Sequence, residues 1–559
     1  MPARLHPPPR HALAATATAL FAASLAAAWW WARGEADGRL VSWLDDAYIH
    51  MAMARDVAEH GVFGVTPHAH SSSTSSPLWV WALAALYRVF GAADWIAFAL
   101  AALGGAATLW VAARILTRDM GDAGSDPGSR PAWGAAGIAV VLAAAAPVVM
   151  AFSAMEHLAH AALMLAAVDA LSRALAGPPA ERAPVGLAAA FAALPLLRFE
   201  SLWLVALGVA LALARRRHAL ALALAVAALA PVAAFAAWSM SHGWWAVPFP
   251  ILAKTIFLAD PGAPSAVDVV KMLAWYPLKR LAVNAPALLL LLVAAVVALA
   301  AAWRRAGGSP GAAWRRWRDG TPVDAGTLAL AIAALGIWAH ATFGSFGWGG
   351  RYEVYLFALA GAFLPPALAR ARWPAARVSV ASAAIAILAS TTAAALTHRA
   401  YVMHADLRIS TAVVWQRDFW PARYVARHHA GAGIVAMNIG ALTWLSEPRL
   451  TDVLALGDLE TARLLASRRL TADAVRGLAT RRDARVAILF DGYFRQWTGG
   501  APPFTKIATA RPLAAAEMAV AIYAVRAADG AAIAATLAAF AREAPGGVAL
   551  EWEPAFAPR

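Results

Sequence analysis

Two neighbouring carboxylates, Asp45 and Asp46, stand in the stretch Trp43-Leu44-Asp45-Asp46-Ala47-Tyr48-Ile49-His50, shortly past an apolar run that closes on Trp29, Trp30 and Trp31. Paired acids can divide the work of a displacement: one takes the proton of an attacking hydroxyl, and the other orients that hydroxyl or holds a cation. If the group displaced is a phosphate, cationic side chains must meet it. Lys254, Arg198 and Arg351 come from three separate segments that could do so, while Tyr48, His50, Glu156, Glu200 and Tyr352 are candidates for holding the substrate. A plainer role competes for the acids, because Ser42-Trp43-Leu44-Asp45 has the pattern of a capping box and an acid favours the start of a helix running to about Glu59. That role explains one acid better than two.

The elements that would position these residues are apolar helices. Of 559 residues, 61% are hydrophobic and 14% charged, and the mean hydropathy is +0.59. Soluble domains are about 45–50% apolar and about 25% charged, so an integral membrane protein is expected. Charge-free runs at 11–32, 132–155, 281–303 and 325–350 reach the roughly 20 residues a spanning helix needs. The formal charge of +14 does not indicate nucleic acid, because the arginines cluster between apolar runs at 215–217, 304–305, 315–318 and 370–372, as cytoplasmic loops do under the positive-inside rule. Cysteine is absent, which excludes a disulfide framework and thiolate metal sites.

With the N-terminus inside and the first run uncleaved, residues 32–76 emerge on the outer side, carrying both acids. Pro77 to Phe90 is too short to cross comfortably and reads as an interfacial helix. Spans are then expected at 95–115, 132–152, 158–176, a hairpin over 184–214, 218–240, 281–303, 325–343, 352–369 and 376–397, about eleven in all with every arginine cluster inside. Residues 398–559 regain acids and read as an outer domain, with strands near 433–437 and 485–490 and a helix at 459–467. The expected fold class is an all-α polytopic membrane domain, 1–397 with its outer loop 32–92, followed by an extracytoplasmic α/β domain. Trp244 to Pro250 reads as an interfacial aromatic belt, Ser71 to Ser76 as a flexible or hydrogen-bonding loop, and His68-Ala69-His70 as solvated rather than metal-ligating. Ionisable residues at outer helix ends are costly unless they face a wet cavity or one another, so they default to function.

Taken together these motifs resemble the membrane glycosyltransferases of the GT-C class, and within it the actinobacterial cell-wall arabinofuranosyltransferases. Residues 45–79 are similar to the first outer loop of that class. Met155-Glu156-His157, Leu197-Arg198-Phe199-Glu200, the loop Pro248 to Lys254 and Gly350-Arg351-Tyr352 follow in the class's order, and 438–458 resembles part of its outer domain. Phe199, Phe249 to Ile251 and Glu353 depart from the class pattern. The resemblance implies a polyprenyl-phosphate-linked sugar as donor, a cell-envelope glycan or lipid as acceptor, and inversion at the anomeric carbon. Asp45, then Asp46, would be the base, with Lys254, Arg351 and Arg198 on the leaving phosphate. No cofactor is implied with certainty; some members use a divalent cation and others do not. Two other readings fit a polytopic chain: a flippase or transporter for a lipid-linked glycan, which needs no paired acids on an outer helix, and a non-catalytic glycan-binding scaffold, in which the acids are dispensable.

Overall fold

The computed structural model describes residues 11–121, 130–178, 184–256, 270–305, 309–371, 380–543 and 547–558. Among these, six helices are long and apolar enough to cross a membrane: Ala12–Ala36, Asp94–Gly121, His157–Ala176, His218–Ser241, Pro286–Arg305 and Ala325–Phe343. The bundle closes around a shorter helix, Val354–Arg370, whose residues from Val354 to Ala367 are all buried. It packs against Arg130–Val140, Ala325–Phe343, His157–Ala176 and Asp94–Gly121. A helix buried on all sides reads as uniformly apolar. Arg118 joins two helices by a bidentate bond to Asp169 (2.6 and 3.0 Å), and Arg370 bonds Asp324 at 2.5 Å and the Asp119 carbonyl.

At the opposite end lie two short helices, Asp46–Glu59 and Pro77–Phe90, packed on each other. The helix expected from Pro77 to Phe90 is present, entered by proline at its first turn, where a missing N–H costs nothing. The capping box is not formed. Asp45 makes no side-chain bond to its own helix, and the Ser42 hydroxyl bonds Leu44 N and Ser153 O.

The last long helix, Val380–Val413, does not stop at Thr397 but continues with helical residues to His428. It leads into a six-stranded mixed sheet: β1 (Gly433–Ala436), β2 (Arg449–Asp452), β3 (Ala484–Leu489), β4 (Thr505–Pro512), β5 (Val520–Ala524) and β6 (Val548–Trp552), in the order β2-β1-β3-β5-β4-β6. Strands β2 and β3 lie parallel to β1 on its two sides, and the rest of the sheet is antiparallel. Segments 433–437, 485–490 and 459–467 thus take the expected forms.

One expectation fails here, and of the two readings of the serine run the hydrogen-bonding one holds. Trp244 and Phe249 are buried in the core beneath the sheet with Val435, Val453 and Leu465, so this segment is not an aromatic belt. The Trp244 indole donates to the His70 carbonyl and Phe249 N to Ser72 O. The serine run is likewise buried, from Ser71 to Thr74 and at Ser76. Its small hydroxyls supply partners that a buried irregular backbone needs: Ser73 bonds Leu456 O and Ser76 bonds Leu197 O.

Candidate active site

Local packing brings the distant motifs together. The Trp43 indole donates to Val149 O at 3.0 Å, and its ring lies over Gly349, where a Cβ would meet a ring carbon at 2.2 Å. Gly349 also has φ +68°, so only glycine suits both demands. One tryptophan therefore fixes the segment leading to Glu156 and the loop leading to Arg351 against the start of the Asp46 helix.

A connected polar network results. Arg351 donates to Asp46 at 2.5 Å and to the Tyr352 hydroxyl at 3.1 Å, and lies 3.4 Å from the Met155 sulfur. Arg198 donates to Glu156 at 2.6 Å and Glu200 at 2.5 Å and meets His157 Nδ1 at 3.1 Å. Both guanidinium groups lie over the Tyr352 ring, at 5.3 and 5.0 Å. His50 meets Thr74 at 3.0 Å, and its Nδ1 is 3.7 Å from Glu156. Burial holds the His50 pKa below its ordinary value, against the opposing pull of Glu156, so the ring is neutral near pH 7.

Five buried polar atoms without a hydrogen-bond partner in the protein lie at this spot: His50 Nδ1, Glu156 Oε2, His157 Nε2, Arg198 Nε and Arg351 Nε. Folded proteins satisfy the large majority of such groups, and a cluster containing two guanidinium N–H donors is suited to anionic oxygen. Asp46, with a side chain 46% exposed, is the most open member.

Seven of the sequence candidates thus meet: Asp46, His50, Glu156, Arg198, Glu200, Arg351 and Tyr352. Asp45 turns away, and its two oxygens accept from Gly440 N and Ala441 N, each at 2.8 Å. It caps a helix after all, but that of Gly440–Ser446 beside the sheet. Burial, with Asp418 next in weight, pushes its pKa up to about 7 despite the two backbone bonds. Tyr48 also stands apart, fully buried with its ring against Phe419 and its hydroxyl accepting from Ser42 N. Lys254 is on the helix Phe249–Ile256, and its side chain lies outside the described residues.

Sequence reading did not single out Thr74, Met155 or Asp418. Thr74 sits in a run that looks like a linker, Met155 carries no charge, and Asp418 acquires its place only through a contact across more than 370 residues of chain. His68 and His70 do not face a common point: His68 meets Glu447 O, whereas the His70 ring packs on His242 and Trp238. Among the described residues one group has metal-ligand spacing, Asp56, His60 and Glu447. Arg55 lies within it, 2.8 Å from Asp56 and 3.2 Å from Glu447, and supplies the charge a cation would bring.

No protein-family model matches the chain, and no curated protein does. A solved structure does: ArnT from Cupriavidus metallidurans bound to undecaprenyl phosphate aligns with TM-score 0.50 at 15% identity, over 91% of this chain and 98% of that one. The two chains share a fold. The polytopic helical fold with a C-terminal sheet expected from the sequence is therefore present, and the protein is a multi-pass membrane protein. The apo oligosaccharyltransferase of Archaeoglobus fulgidus aligns at TM-score 0.41 and 13% identity over 85% of this chain and 70% of that one. Arabinofuranosyltransferase AftD from Mycobacteria aligns at 0.40 and 17% over 92% and 42%.

Proposed function

We propose that this protein transfers a sugar from a polyprenyl-phosphate donor to a cell-envelope glycan or lipid acceptor, with the network around Arg351 on the extracytoplasmic face of the plasma membrane. The observation that carries this reading is the set of orphaned buried donors on Arg198 and Arg351 beside the accessible Asp46 carboxylate. The shared fold adds to it, since the ArnT structure holds undecaprenyl phosphate.

Asp46 is the general base in this scheme. The acceptor oxygen bonds to the anomeric carbon as its proton passes to Asp46, and the carbon–oxygen bond to phosphate breaks with its electron pair leaving on the polyprenyl phosphate. A single displacement of this kind inverts the carbon. Arg351 and Arg198 stabilise the charge that grows on the departing phosphate, and Lys254 is proposed to join them. His50, Glu156, Glu200 and Tyr352 hold the arginines and the substrate in place. Asp45, with both oxygens on backbone N–H groups, serves as an anchor rather than as the base.

The reading is tested in proteoliposomes loaded with radiolabelled undecaprenyl-phosphate-linked pentoses and hexoses and an envelope glycan fraction. Wild type should move label to the glycan, and Asp46→Asn and Arg351→Ala should not. Equal transfer by wild type and Asp46→Asn, or lipid-linked sugar crossing the bilayer with no transfer, would defeat it.

A further inference from the structure

The parallel part of the sheet has the order β2-β1-β3, with the chain leaving β1 to one side for β2 and returning on the other side as β3. In open sheets of this kind the crevice beyond the carboxyl ends of the two strands at such a reversal is where ligands settle. Here the carboxyl ends of β1 and β3 lie beside the motif carrying Asp45 and Asp46, with the Asp45 carboxylate on Gly440 N and Ala441 N. β1 is followed by Asn438 and Gly440, and β3 by Phe490 and the helix Asp491–Thr498.

The crevice is furnished from both parts of the chain. Asn438 donates to Asp418 at 2.8 Å, and Arg417 holds the same carboxylate at 2.7 and 2.9 Å while lying 5.6 Å over the Phe490 ring. Tyr493 stands edge-on to Phe490 and is 61% exposed, a large aromatic face directed outward from a polar rim. Its chemistry excludes one class of ligand. The N–H groups that would cradle a phosphate at Gly440 and Ala441 already hold Asp45, and Asp418 adds a second carboxylate. Asn438, Asp418 and Arg417 bond one another, and what they can still offer to neighbouring hydroxyls is the rest of the Asn438 amide and Arg417 Nη1, which lies 3.6 Å from the Met518 sulfur, beside aromatic rings suited to the apolar face of a sugar.

We infer that this crevice, formed by Asn438, Arg417, Asp418, Phe490 and Tyr493, is a binding subsite for an uncharged glycan chain. It rests on the proposed function in one respect: the bound glycan is the acceptor. The subsite lies on the far side of Asp45 from the arginines, so donor and acceptor are handled by separate residues.

Full-length protein in detergent is titrated with a panel of uncharged pentofuranose and hexopyranose oligosaccharides, with binding read by saturation-transfer NMR. At least one probe should bind wild type, Tyr493→Ala and Asn438→Ala should each weaken that binding tenfold or more, and Asp46→Asn should bind as wild type does. Tyr493 is exposed, so its variant should keep the wild-type melting temperature. Binding by no probe, or unchanged affinity in both variants, overturns the subsite. Because Asp46→Asn is scored here on binding alone, loss of the transferase reading and loss of the subsite are told apart.

Discussion

Consecutive residues on a helix point about 100° apart, so Asp45 and Asp46 at one helix start must serve different neighbours. Asp46 faces Arg351 and the orphaned donors, and Asp45 faces the backbone of Gly440 and Ala441. Asp46→Asn should lower sugar transfer by about 100-fold or more, the range of a lost general base, and should lower the melting temperature less than Arg198→Ala does, because the buried Arg351 loses its charged partner but keeps an acceptor oxygen on the amide. Arg351→Lys keeps the charge, but a single nitrogen replaces the Nη2 that meets both Asp46 and Tyr352, the Nη1 on the Met155 sulfur and the orphaned Nε–H, so initial-rate measurements should place it near Arg351→Ala rather than near wild type. Arg198 is 3% exposed between Glu156 and Glu200. Its removal leaves two carboxylates uncompensated, a loss of about 3–5 kcal/mol, and Arg198→Ala should melt well below wild type in the same detergent.

Between elements, the helix Gly440–Ser446 docks on the Asp46 helix through the Asp45 carboxylate, and the fit leaves no room. A Cβ at position 440 would meet the Asp45 carbonyl oxygen at 2.0 Å, whereas one at Gly492 meets nothing within 4 Å. Gly440→Ala should therefore loosen the sheet region from the helices beneath it. Limited proteolysis after residue 428 should speed up in Gly440→Ala and stay at the wild-type rate in Gly492→Ala; equal rates in the two variants would show that the contact does not hold these elements together. The buried serine run is the second tie, bonded to Leu456 on one side and to Leu197, beside Arg198, on the other.

For the molecule as a whole, charge sets both orientation and pH response. Burial, as the main cause, raises the pKa of Asp45 and of Asp452 from 3.8 to about 7 and that of Asp56 from 3.8 to about 6. Over that interval the folded chain holds protons on these three carboxyls that the unfolded chain has released, so their contribution to stability is lost as pH rises from about 4 to about 7, while His50 and His429, lowered by burial, contribute with the opposite sign. The Asp45 contribution is read as a difference: relative to wild type, Asp45→Asn should gain thermal stability steadily as pH rises from about 4 to about 7, and a difference that does not change with pH would show that Asp45 is not protonated in the folded chain. Orientation can be read directly because the chain has no cysteine. A cysteine at exposed Tyr493 should react with a membrane-impermeant maleimide in intact cells, and one at exposed Arg315 only after permeabilisation; the reverse pattern would place the sheet inside.

The sequence by itself determined the class of molecule and the order of its helices. Hydropathy and charge clustering are local properties, and lipid demands continuous apolar runs whatever they pack against. It also determined most members of the polar network, because ionisable residues stand out at the ends of such runs: Arg198, Glu156, Arg351 and His50 were all visible. Tertiary structure alone decided which acid of the pair faces the arginines, since that depends on where Gly440 and Ala441 arrive from nearly 400 residues away. The same holds for the burial of Trp244, Phe249 and the serine run beneath the sheet, where side chains that suit a membrane surface or a solvated loop equally suit a core once distant strands cover them. Composition records what a residue tolerates, and long-range packing selects among the tolerated environments.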